Sequence, residues 1–408
     1  MKVLIVTQYY PPEAVPLPAD LARDLAARGH QVKVLTGYPN YPTGTVFPGY
    51  RQRWRSTERD GAVEVHRVPL FADHSQSAIR RIFNYGSFAL SAATARRLSR
   101  GADVIYVYAT QMTAGFGPWL WRITGGLPYI LHVQDLWPDS IVGSSIAGGS
   151  RKQRIITGVL GPWLRSAYRR AAGVIGIAPT MVSTLVSRGV PEGNAHLVYN
   201  WADARGTAES ARSVVDGSSR TEVVYAGNVG DMQDLATAVR AAHAAKDAGI
   251  RLTLVGDGVA RAELRALVAS LEADNVRFED PVPREQMPEV YSRADFALVS
   301  LKDMPVFRGT IPSKFQAVLA AGVPVITTVQ GDVRRIVETS GVGLAADAEN
   351  VGSLERTFRS AAACGAEARE RMAKQGQEFY DNHFSRESGI ARIEGLLAAA
   401  AKGTRRGQ

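Results

Sequence analysis

Residues 222–235, "EVVYAGNVGDMQDL", contain one complete unit of the pattern that decides the fold. "EVVYAG" (222–227) is a short run of apolar and β-branched residues, which is typical of a buried strand. The glycine-rich turn after it opens a helical pattern at 232–248. A strand that leads through a glycine turn into a helix is the repeating unit of parallel α/β sheets.

The same unit recurs along both halves of the chain. The other predicted strands of the second half are "RLTLVG" (251–256), "ADFALVS" (294–300) and "VPVITT" (323–328), with helices at 259–272 and 313–321. Those of the first half are "KVLIV" (2–6), "QVKVLT" (31–36), "VEVHRV" (63–68), "DVIYVY" (103–108), "PYILHV" (128–133) and "GVIGIA" (173–178). This alternation predicts an α/β protein of two Rossmann-like, doubly wound domains that face each other across a cleft.

A change of composition separates the two halves. Residues 204–220, "ARGTAESARSVVDGSSR", are small, polar and rich in Gly and Ser, which is typical of a linker. We therefore expect an N-terminal domain at 1–200, a linker at 201–220 and a second domain at 221–380. The length of 408 residues also favours more than one domain.

Composition excludes several classes of protein. Hydrophobic content of 45% and charged content of 21% are those of a folded globular chain. Cys364 is the only cysteine, so an intramolecular disulfide and a multi-cysteine zinc site are excluded. The apolar run in "MKVLIVTQYYPPE" is too short for a signal peptide, and no apolar stretch approaches the roughly 18 residues of a membrane span. We expect a cytoplasmic protein.

The net charge of +9 is concentrated before residue 101. Arginines crowd the segments 51–59 and 77–100, where they alternate with Trp54, Ile82 and Phe83 among other apolar residues. One interpretation is a solvated arginine-rich surface. The other is contact with an anionic membrane face or with a diphosphate-bearing acceptor. No recognised nucleic-acid-binding module appears in the sequence, so nucleic acid is not an expected partner.

Three loops of the second half follow predicted strands. They are "GNVGDMQDL", "DGVARAEL" with Asp257, and "LKDMPVFRGTIPSK", which leads into the helix at 313–321. Ligands of open α/β sheets bind at the carboxyl ends of the strands, and N–H groups at helix starts bind phosphates. Lys302 and Lys314 would add full positive charges. The three loops together predict a nucleotide-diphosphate site, although each alone fits a plain connection and Asp257 fits a turn-fixing role.

The order and spacing of several segments resemble the retaining glycosyltransferases of family 4, which have the GT-B fold. In the second half these segments are "YAGNVGDMQDL", "VGDG", "PVPREQMPEVYSRADFALVSL" and "IPSKFQAVLAAGVPVI". In the first half, "YYPPE", "LARDLAARGHQVKVLTGYPNYPTG", "LHVQDLWPDS" and "VYNWAD" resemble the branch that assembles bacterial surface polysaccharides, including the N-acetylfucosamine transferases. The resemblance runs from residue 1 to about 395. We also expect residues 381–400 to form a C-terminal helix that packs back on the N-terminal domain.

The resemblance implies a UDP-, GDP- or dTDP-sugar donor, held by the second domain without a metal or a further cofactor. Its diphosphate would lie over residues 310–314 and its base near the backbone of Val282. Where many relatives place an Arg and a Lys on the diphosphate, this chain has Asn228 and Gln233, which leaves Lys314 as the main cation. The implied donor-side residues are Asn228, Gln233, Asp257, Val282, Lys302, Arg308, Thr310, Ile311, Pro312, Ser313, Lys314 and Gln316.

On the other side of the cleft, the resemblance implies that His132 is catalytic and contacts the donor sugar near the reacting carbon. Asn40 and Asp135 would face the acceptor, for which we expect a polyprenyl-diphosphate-linked saccharide at the inner face of the plasma membrane. The sugar would be transferred with retention on one face, the leaving phosphate taking the proton of the acceptor. Such a reaction needs positive charge on the phosphate and no pair of catalytic carboxylates.

Two departures from the family pattern leave alternatives open. Gln316 stands where many relatives have a ribose-binding Glu, and Ser313 to Gln316 also fits a helix-capping box. Val15 and Pro16 replace the glycines that usually follow "PPE", which stiffens that loop. The alternatives are a soluble natural-product acceptor, a sugar-nucleotide 2-epimerase on the same fold, and an inactive member of the family.

Overall fold

A computed structural model of the chain describes residues 1–73, 78–137, 150–201 and 220–405. The chain divides into two compact units, one formed by Met1–Asn200 with Gly389–Gln408 and the other by Trp201–Ser388. Each unit is built on one mainly parallel sheet connected by helices, which confirms the predicted α/β class with two such domains. The linker predicted at 201–220 lies, except for its first and last residues, outside the described residues.

The sheet of the first unit has eight strands among the described residues, in the order β3-β4-β2-β1-β5-β6-β7-β8. They are β1 Lys2–Thr7, β2 Gln31–Gly37, β3 Ser56–Asp60, β4 Val63–Val68, β5 Val104–Ala109, β6 Tyr129–Val133, β7 Gly173–Gly176 and β8 Ala195–Leu197. Neighbouring strands are parallel except at one edge, where β3 pairs antiparallel with β4. Every residue of β5 and β6 is buried, which explains why these strands are continuous apolar runs.

The sheet of the second unit has six parallel strands among the described residues, in the order β11-β10-β9-β12-β13-β14. They are β9 Thr221–Ala226, β10 Ile250–Val255, β11 Val276–Glu279, β12 Phe296–Val299, β13 Val325–Thr327 and β14 Gly343–Ala345. The chain order reverses between β9 and β12, so the unit has the switch point at which parallel α/β sheets bind ligands.

Helices connect the strands in both units. The described helices are α1 Pro16–Ala27, α2 Ala78–Ala93, α3 Phe116–Ile123, α4 Ser150–Arg170, α5 Pro179–Ser187, α6 Leu235–Ala244, α7 Arg261–Ser270, α8 Met287–Ser292, α9 Pro305–Arg308, α10 Ser313–Ala320, α11 Asp332–Ser340, α12 Val351–Ala362, α13 Ala366–Phe379 and α14 Arg386–Arg405. Within the described ranges, none of them combines the length and the apolarity that crossing a bilayer requires.

The part of α14 that belongs to the first unit is held there by charge as well as by apolar packing. Glu394 accepts one hydrogen bond from Arg28 at 2.7 Å, and His30 Nε2 lies 2.6 Å from its other carboxylate oxygen. The terminal amine of Met1 lies 3.0 Å from His30 Nδ1. Since Ile393 is also buried, this helix is part of the core of the first unit.

Two glycines bring the loops after β9 and β10 into direct backbone contact. Gly256 has a φ of +136°, and a Cβ atom added there would lie 2.0 Å from the carbonyl oxygen of Gly227. Such a separation is far below van der Waals contact, so only glycine fits this position. The close approach holds the two loops against each other at the carboxyl edge of the sheet.

Gly256→Ala is therefore expected to lower the free energy of unfolding by about 2 to 4 kcal/mol, because it adds both an unfavourable φ and a steric clash. The measurement is denaturant unfolding of the full chain. Gly352→Ala is the matched control, since Gly352 lies in the first turn of α12 with only ordinary contacts around the added atom. The control should be neutral or slightly stabilising. Equal stability of the two variants would contradict the close approach.

Candidate active site

The three loops predicted to bind a nucleotide diphosphate meet at the carboxyl edge of the second sheet. Val229 N donates to Asp257 O at 2.9 Å and Ala260 N donates to Val229 O at 3.0 Å, which ties the loop after β9 to the loop after β10. Lys302 N donates to Met232 O at 2.9 Å and ties in the loop after β12. The loops after β9, β10 and β12 thus form one continuous backbone surface.

Lys314 projects from the first turn of α10 toward this surface. Its ammonium lies 3.3 Å from the ring centre of Tyr225 on β9, and a Cβ added at Gly227 would lie 3.0 Å from the same nitrogen. The ring face favours the charged form, but burial is the stronger effect and lowers the pKa of Lys314 to about 7. No carboxylate among the described residues offsets this desolvation. The site therefore contains a cation that a bound anion would stabilise.

The polar side chains of the glycine loops mainly bind the loops themselves. Asn228 Nδ2 donates to Gln233 Oε1 at 3.3 Å, and the same oxygen accepts from Gly230 N at 3.2 Å. Asp257 accepts from Gly258 N at 2.8 Å, so its carboxylate does fix the turn that contains it. Asn228 is nevertheless exposed, which leaves part of its amide open to a ligand.

The segment between β12 and α10 contains the other predicted donor-side residues. Arg308 makes two hydrogen bonds to Asp303, at 2.7 and 2.8 Å, so its charge is already paired at the protein surface. Thr310 is exposed and Ile311 is half-buried just before Pro312, the residue that precedes the first turn of α10. Among the residues of this segment and of α10, Lys314 is the cation best placed for an anion.

Gln316 lies in the first turns of α10 and is only 5% exposed. Of the two roles left open for Gln316, the capping box with Ser313 is wrong: the helix already includes Ser313, the residue before it is Pro312, and no side chain caps the end. Proline can precede a helix without a hydroxyl because its fixed backbone angle directs the chain. A carboxylate in the buried position of Gln316 would be desolvated, which a neutral amide avoids.

Val282 follows β11, at the outer side of the same carboxyl edge, and its side chain is half-buried. Asp280, just before it, accepts a hydrogen bond from Arg261 at 2.8 Å. Arg261 lies at the start of α7, so the loop predicted to receive the base is connected to the loop after β10. Among the described residues, no group of three or more His, Cys, Asp or Glu side chains is placed to hold a metal ion.

In the first unit, the loops after β1 and β2 are joined by an acid that sequence reasoning missed. The buried Glu13 accepts backbone hydrogen bonds from Asn40 and Tyr41, both at 2.8 Å, and from Tyr10 at 3.1 Å. Burial raises the pKa of Glu13, and these three bonds oppose the shift. Asn40 is itself buried, and its Oδ1 has no hydrogen bond among the described residues. The signal for Glu13 was present in "YYPPE", as an acid directly after a strand and two prolines.

His132 lies on β6 with no exposed surface. Its Nδ1 is 2.5 Å from the hydroxyl of Tyr106, and the rings of Tyr106 and Tyr108 both have their centres 5.9 Å from its own. Burial lowers the pKa of His132 to about 3, against a smaller opposing effect of the Val198 backbone. The imidazole is therefore neutral and enclosed by aromatic side chains.

Gln134 and Asp135 follow β6, at the carboxyl edge of the first sheet. Gln134 Oε1 accepts from Asn200 at 2.6 Å, whereas its buried Nε2 has no hydrogen bond among the described residues. Asp135 is exposed, yet the surrounding protein desolvates it and raises the pKa of its carboxyl. Burial raises the pKa of Tyr85 and of Tyr108, and the negative charge of Asp135 adds to this effect. The Gln134–Asn200 pair was not among the predicted site residues, since the sequence gives no sign that residues 66 positions apart meet.

Two family descriptions match almost the entire chain. Residues 17–201 match the "Glycosyl transferase 4-like domain" and residues 209–379 match "Glycosyl transferases group 1". The chain belongs to the family 4-type glycosyltransferases with the GT-B fold. It is a glycosyltransferase that uses a nucleotide sugar.

Known relatives of this glycosyltransferase support the same conclusion. WcaI of Escherichia coli (strain K12), whose name assigns it to colanic acid biosynthesis, is 26% identical over 378 residues, which are 88% of this chain and 92% of WcaI. Sucrose-phosphate synthase from Thermosynechococcus elongatus has a TM-score of 0.62 at 18% identity, with 98% of each chain covered. Anabaena HepE in complex with UDP has a TM-score of 0.63 at 16% identity, covering 98% of this chain and 100% of HepE. The two structures show that the fold is shared.

The glycosyltransferase should become more stable when Lys314 is replaced by Met. Folding desolvates this lysine, whose pKa in an unfolded chain is about 10.4, so the unliganded protein loses stability by holding it. We expect Lys314→Met to raise the free energy of unfolding at pH 7 by about 1 kcal/mol or more. The unfolded wild type binds more protons between about pH 7 and 10, so its stability rises with pH there and the difference from the variant shrinks.

Denaturant unfolding at pH 7 and at pH 9.5 measures both effects. The control is Lys302→Met. Lys302 is also half-buried, but its positive charge is attracted by the carboxylate of the nearby Asp234, so its burial is compensated. The control should not be stabilised. A Lys314→Met variant that is less stable than the wild type at pH 7, or a difference that does not change with pH, would contradict the assigned electrostatics.

Proposed function

We propose that this protein is a retaining glycosyltransferase that moves a hexosyl or N-acetylhexosaminyl group from a UDP-, GDP- or dTDP-sugar to a hydroxyl of a polyprenyl-diphosphate-linked saccharide. The proposed binding of a nucleotide-sugar donor rests on the desolvated ammonium of Lys314, which lies beside the three joined loops after β9, β10 and β12. The acceptor half is supported by the similarity to WcaI, which is named for the synthesis of a surface polysaccharide.

The donor diphosphate fits the surface around Lys314 for electrostatic reasons. Backbone N–H groups at the start of α10 carry partial positive charge, and the exposed Thr310 lies immediately before them. Binding of an anion would return the lysine to its charged form and remove the cost of its desolvation. Charge that grows on the departing diphosphate would be stabilised at the same place, which is where catalysis of this transfer needs it.

Transfer with retention would take place on one face of the sugar, with the departing phosphate accepting the proton of the acceptor hydroxyl. Lys314 would supply the positive charge in this mechanism, without a metal ion. Contact between His132 and the donor sugar stays a prediction. If His132 acts there, it acts as a neutral imidazole, because burial keeps its pKa far below 7. Asn40 and Asp135 are proposed to face the acceptor.

A lipid-linked acceptor agrees with the surface of α2. Ile82, Phe83 and Leu90 form what we call the outer face of α2; they are 58%, 62% and 64% exposed. The helix contains two arginines and no acidic residue. Exposed apolar side chains on a helix that also contains arginines are typical of contact with an anionic bilayer. We therefore propose that α2 rests on the membrane that contains the acceptor.

A panel of nucleoside-diphosphate sugars is expected to raise the melting temperature of the full chain with at least one UDP-, GDP- or dTDP-sugar, and Lys314→Met should abolish the shift. NMR of the product of the same donor should show that the anomeric configuration is retained. No shift with any donor at millimolar concentration would refute the proposed donor site. A nucleotide sugar returned as its 2-epimer, without transfer, would favour the epimerase alternative.

Flotation with phosphatidylglycerol vesicles tests the membrane contact. The wild type should float at low salt and less at high salt, and replacing both Ile82 and Phe83 by Ser should weaken binding about tenfold or more, because apolar area is lost from the contact. Val259→Ser is the control, since Val259 is 83% exposed but lies on the other unit. A wild type that does not float, or an equal loss in the control, would favour a soluble acceptor.

A further inference from the structure

Helix α2 has an inner face that reaches the carboxyl edge of the first sheet. Asn84 is buried there and accepts a hydrogen bond from Gln8 Nε2 at 2.7 Å, directly after β1. Tyr85 has its ring centre 5.9 Å from that of Trp137, in the segment that follows β6. Since the outer face of α2 is apolar and exposed, this one helix has the predicted acceptor region on one side and the proposed membrane contact on the other.

Arg81 lies on the inner face of α2, one helical turn before Asn84 and Tyr85. Its side chain is half-buried, and its Nε atom is buried without a hydrogen bond among the described residues. Its neighbour Arg80 differs, because it is exposed and forms an ion pair with Asp73 at 3.2 Å. A guanidinium nitrogen that is buried and unpaired is costly, unless a ligand supplies the missing acceptor.

The surroundings of Arg81 fit a ligand that is part sugar and part phosphate. Tyr85 lies one helical turn further along α2, close enough for the charge of Arg81 to act on its hydroxyl. Asp135 acts on the same hydroxyl with the opposite sign. A cation and a carboxylate therefore both lie near the hydroxyl of Tyr85, whose ring packs beside Trp137.

We propose that Arg81 binds the phosphate that joins the lipid of the acceptor to its first sugar. The planar guanidinium offers donors to phosphate oxygens, the sugar continues past Tyr85 toward Asp135, and the lipid chain returns to the bilayer at the outer face of α2. Arg81 would thereby select acceptors that carry a lipid diphosphate. This inference rests on the proposed lipid-linked acceptor and names the residue that recognises its charge.

Binding of farnesyl diphosphate, a short isoprenoid diphosphate, tests the assignment by isothermal titration calorimetry. The full chain is used with Lys314 replaced by Met, so that the donor site does not compete for the diphosphate. Adding Arg81→Gln should weaken binding about tenfold or more, since a charge-assisted hydrogen bond is lost. Adding Arg80→Gln, the matched control, should change affinity less than about twofold, because that charge is already paired and exposed. Farnesol, which has no phosphate, should bind both variants equally.

Thermal unfolding separates recognition from a structural role. If Arg81 only supported the fold, Arg81→Gln would lower the melting temperature, whereas we expect an unchanged or higher one. The proposal is overturned if the parent protein does not bind farnesyl diphosphate, if Arg81→Gln binds it as the parent does, or if both variants lose affinity equally. It is also wrong if Arg81→Gln reduces flotation with phosphatidylglycerol vesicles but not this affinity, since the cation then serves a lipid headgroup. Failure here with donor-induced stabilisation intact would leave the donor half of the proposed function in place.

Discussion

Parallel pairing of neighbouring strands is the constraint on which the rest of each unit depends. A chain that leaves one parallel strand must cross back before it enters the next, so every carboxyl end in a sheet opens on the same edge. In the second unit this brings together the loops after β9, β10 and β12, which are separated by tens of residues in sequence. Their glycines then allow backbone contact, and Lys314 fills the space beside Gly227.

That arrangement concentrates positive charge in one side chain. The neighbouring polar residues are amides, of which Asn228 and Gln233 bind each other and Gln316 is buried. Since Arg308 is paired with Asp303, the desolvated ammonium of Lys314 is left facing the joined loops. Such a site is destabilised when empty and is relieved by an anion. Lys314 therefore lowers the stability of the unliganded protein and favours the binding of the donor.

The buried parts of the fold were predictable from sequence, because a strand that is covered on both faces must be a continuous apolar run. "VIYVYA" and "YILHV" are such runs, and both are central strands. The edge strands β3, β8, β11 and β14 were missed, because they have three to five residues, are partly exposed and have no such pattern.

Within the candidate site, the residue types and the loops were predictable, but the partners of the side chains were not. Sequence indicated that Arg308 is near a phosphate loop, but it did not indicate that Asp303 would neutralise it. Ser313 to Gln316 has the spacing of a capping box, yet Pro312 directs the chain into the helix and no side chain caps it. The partners of Glu13 and Gln134 could not be predicted, because Asn40 and Asn200 are distant from them in sequence.

Helix α2 is the part of the first unit that bears on the acceptor. A helix at the edge of a soluble domain usually buries one apolar stripe and solvates the other side. Here Phe88 and Asn84 are buried on one side while Ile82 and Phe83 are exposed on the other, so the helix has more apolar surface than the unit covers. Water alone does not favour that surface, whereas a bilayer would. If the bilayer also holds the substrate, the guanidinium of Arg81, whose buried Nε has no hydrogen bond among the described residues, is where the phosphate of the lipid would bind.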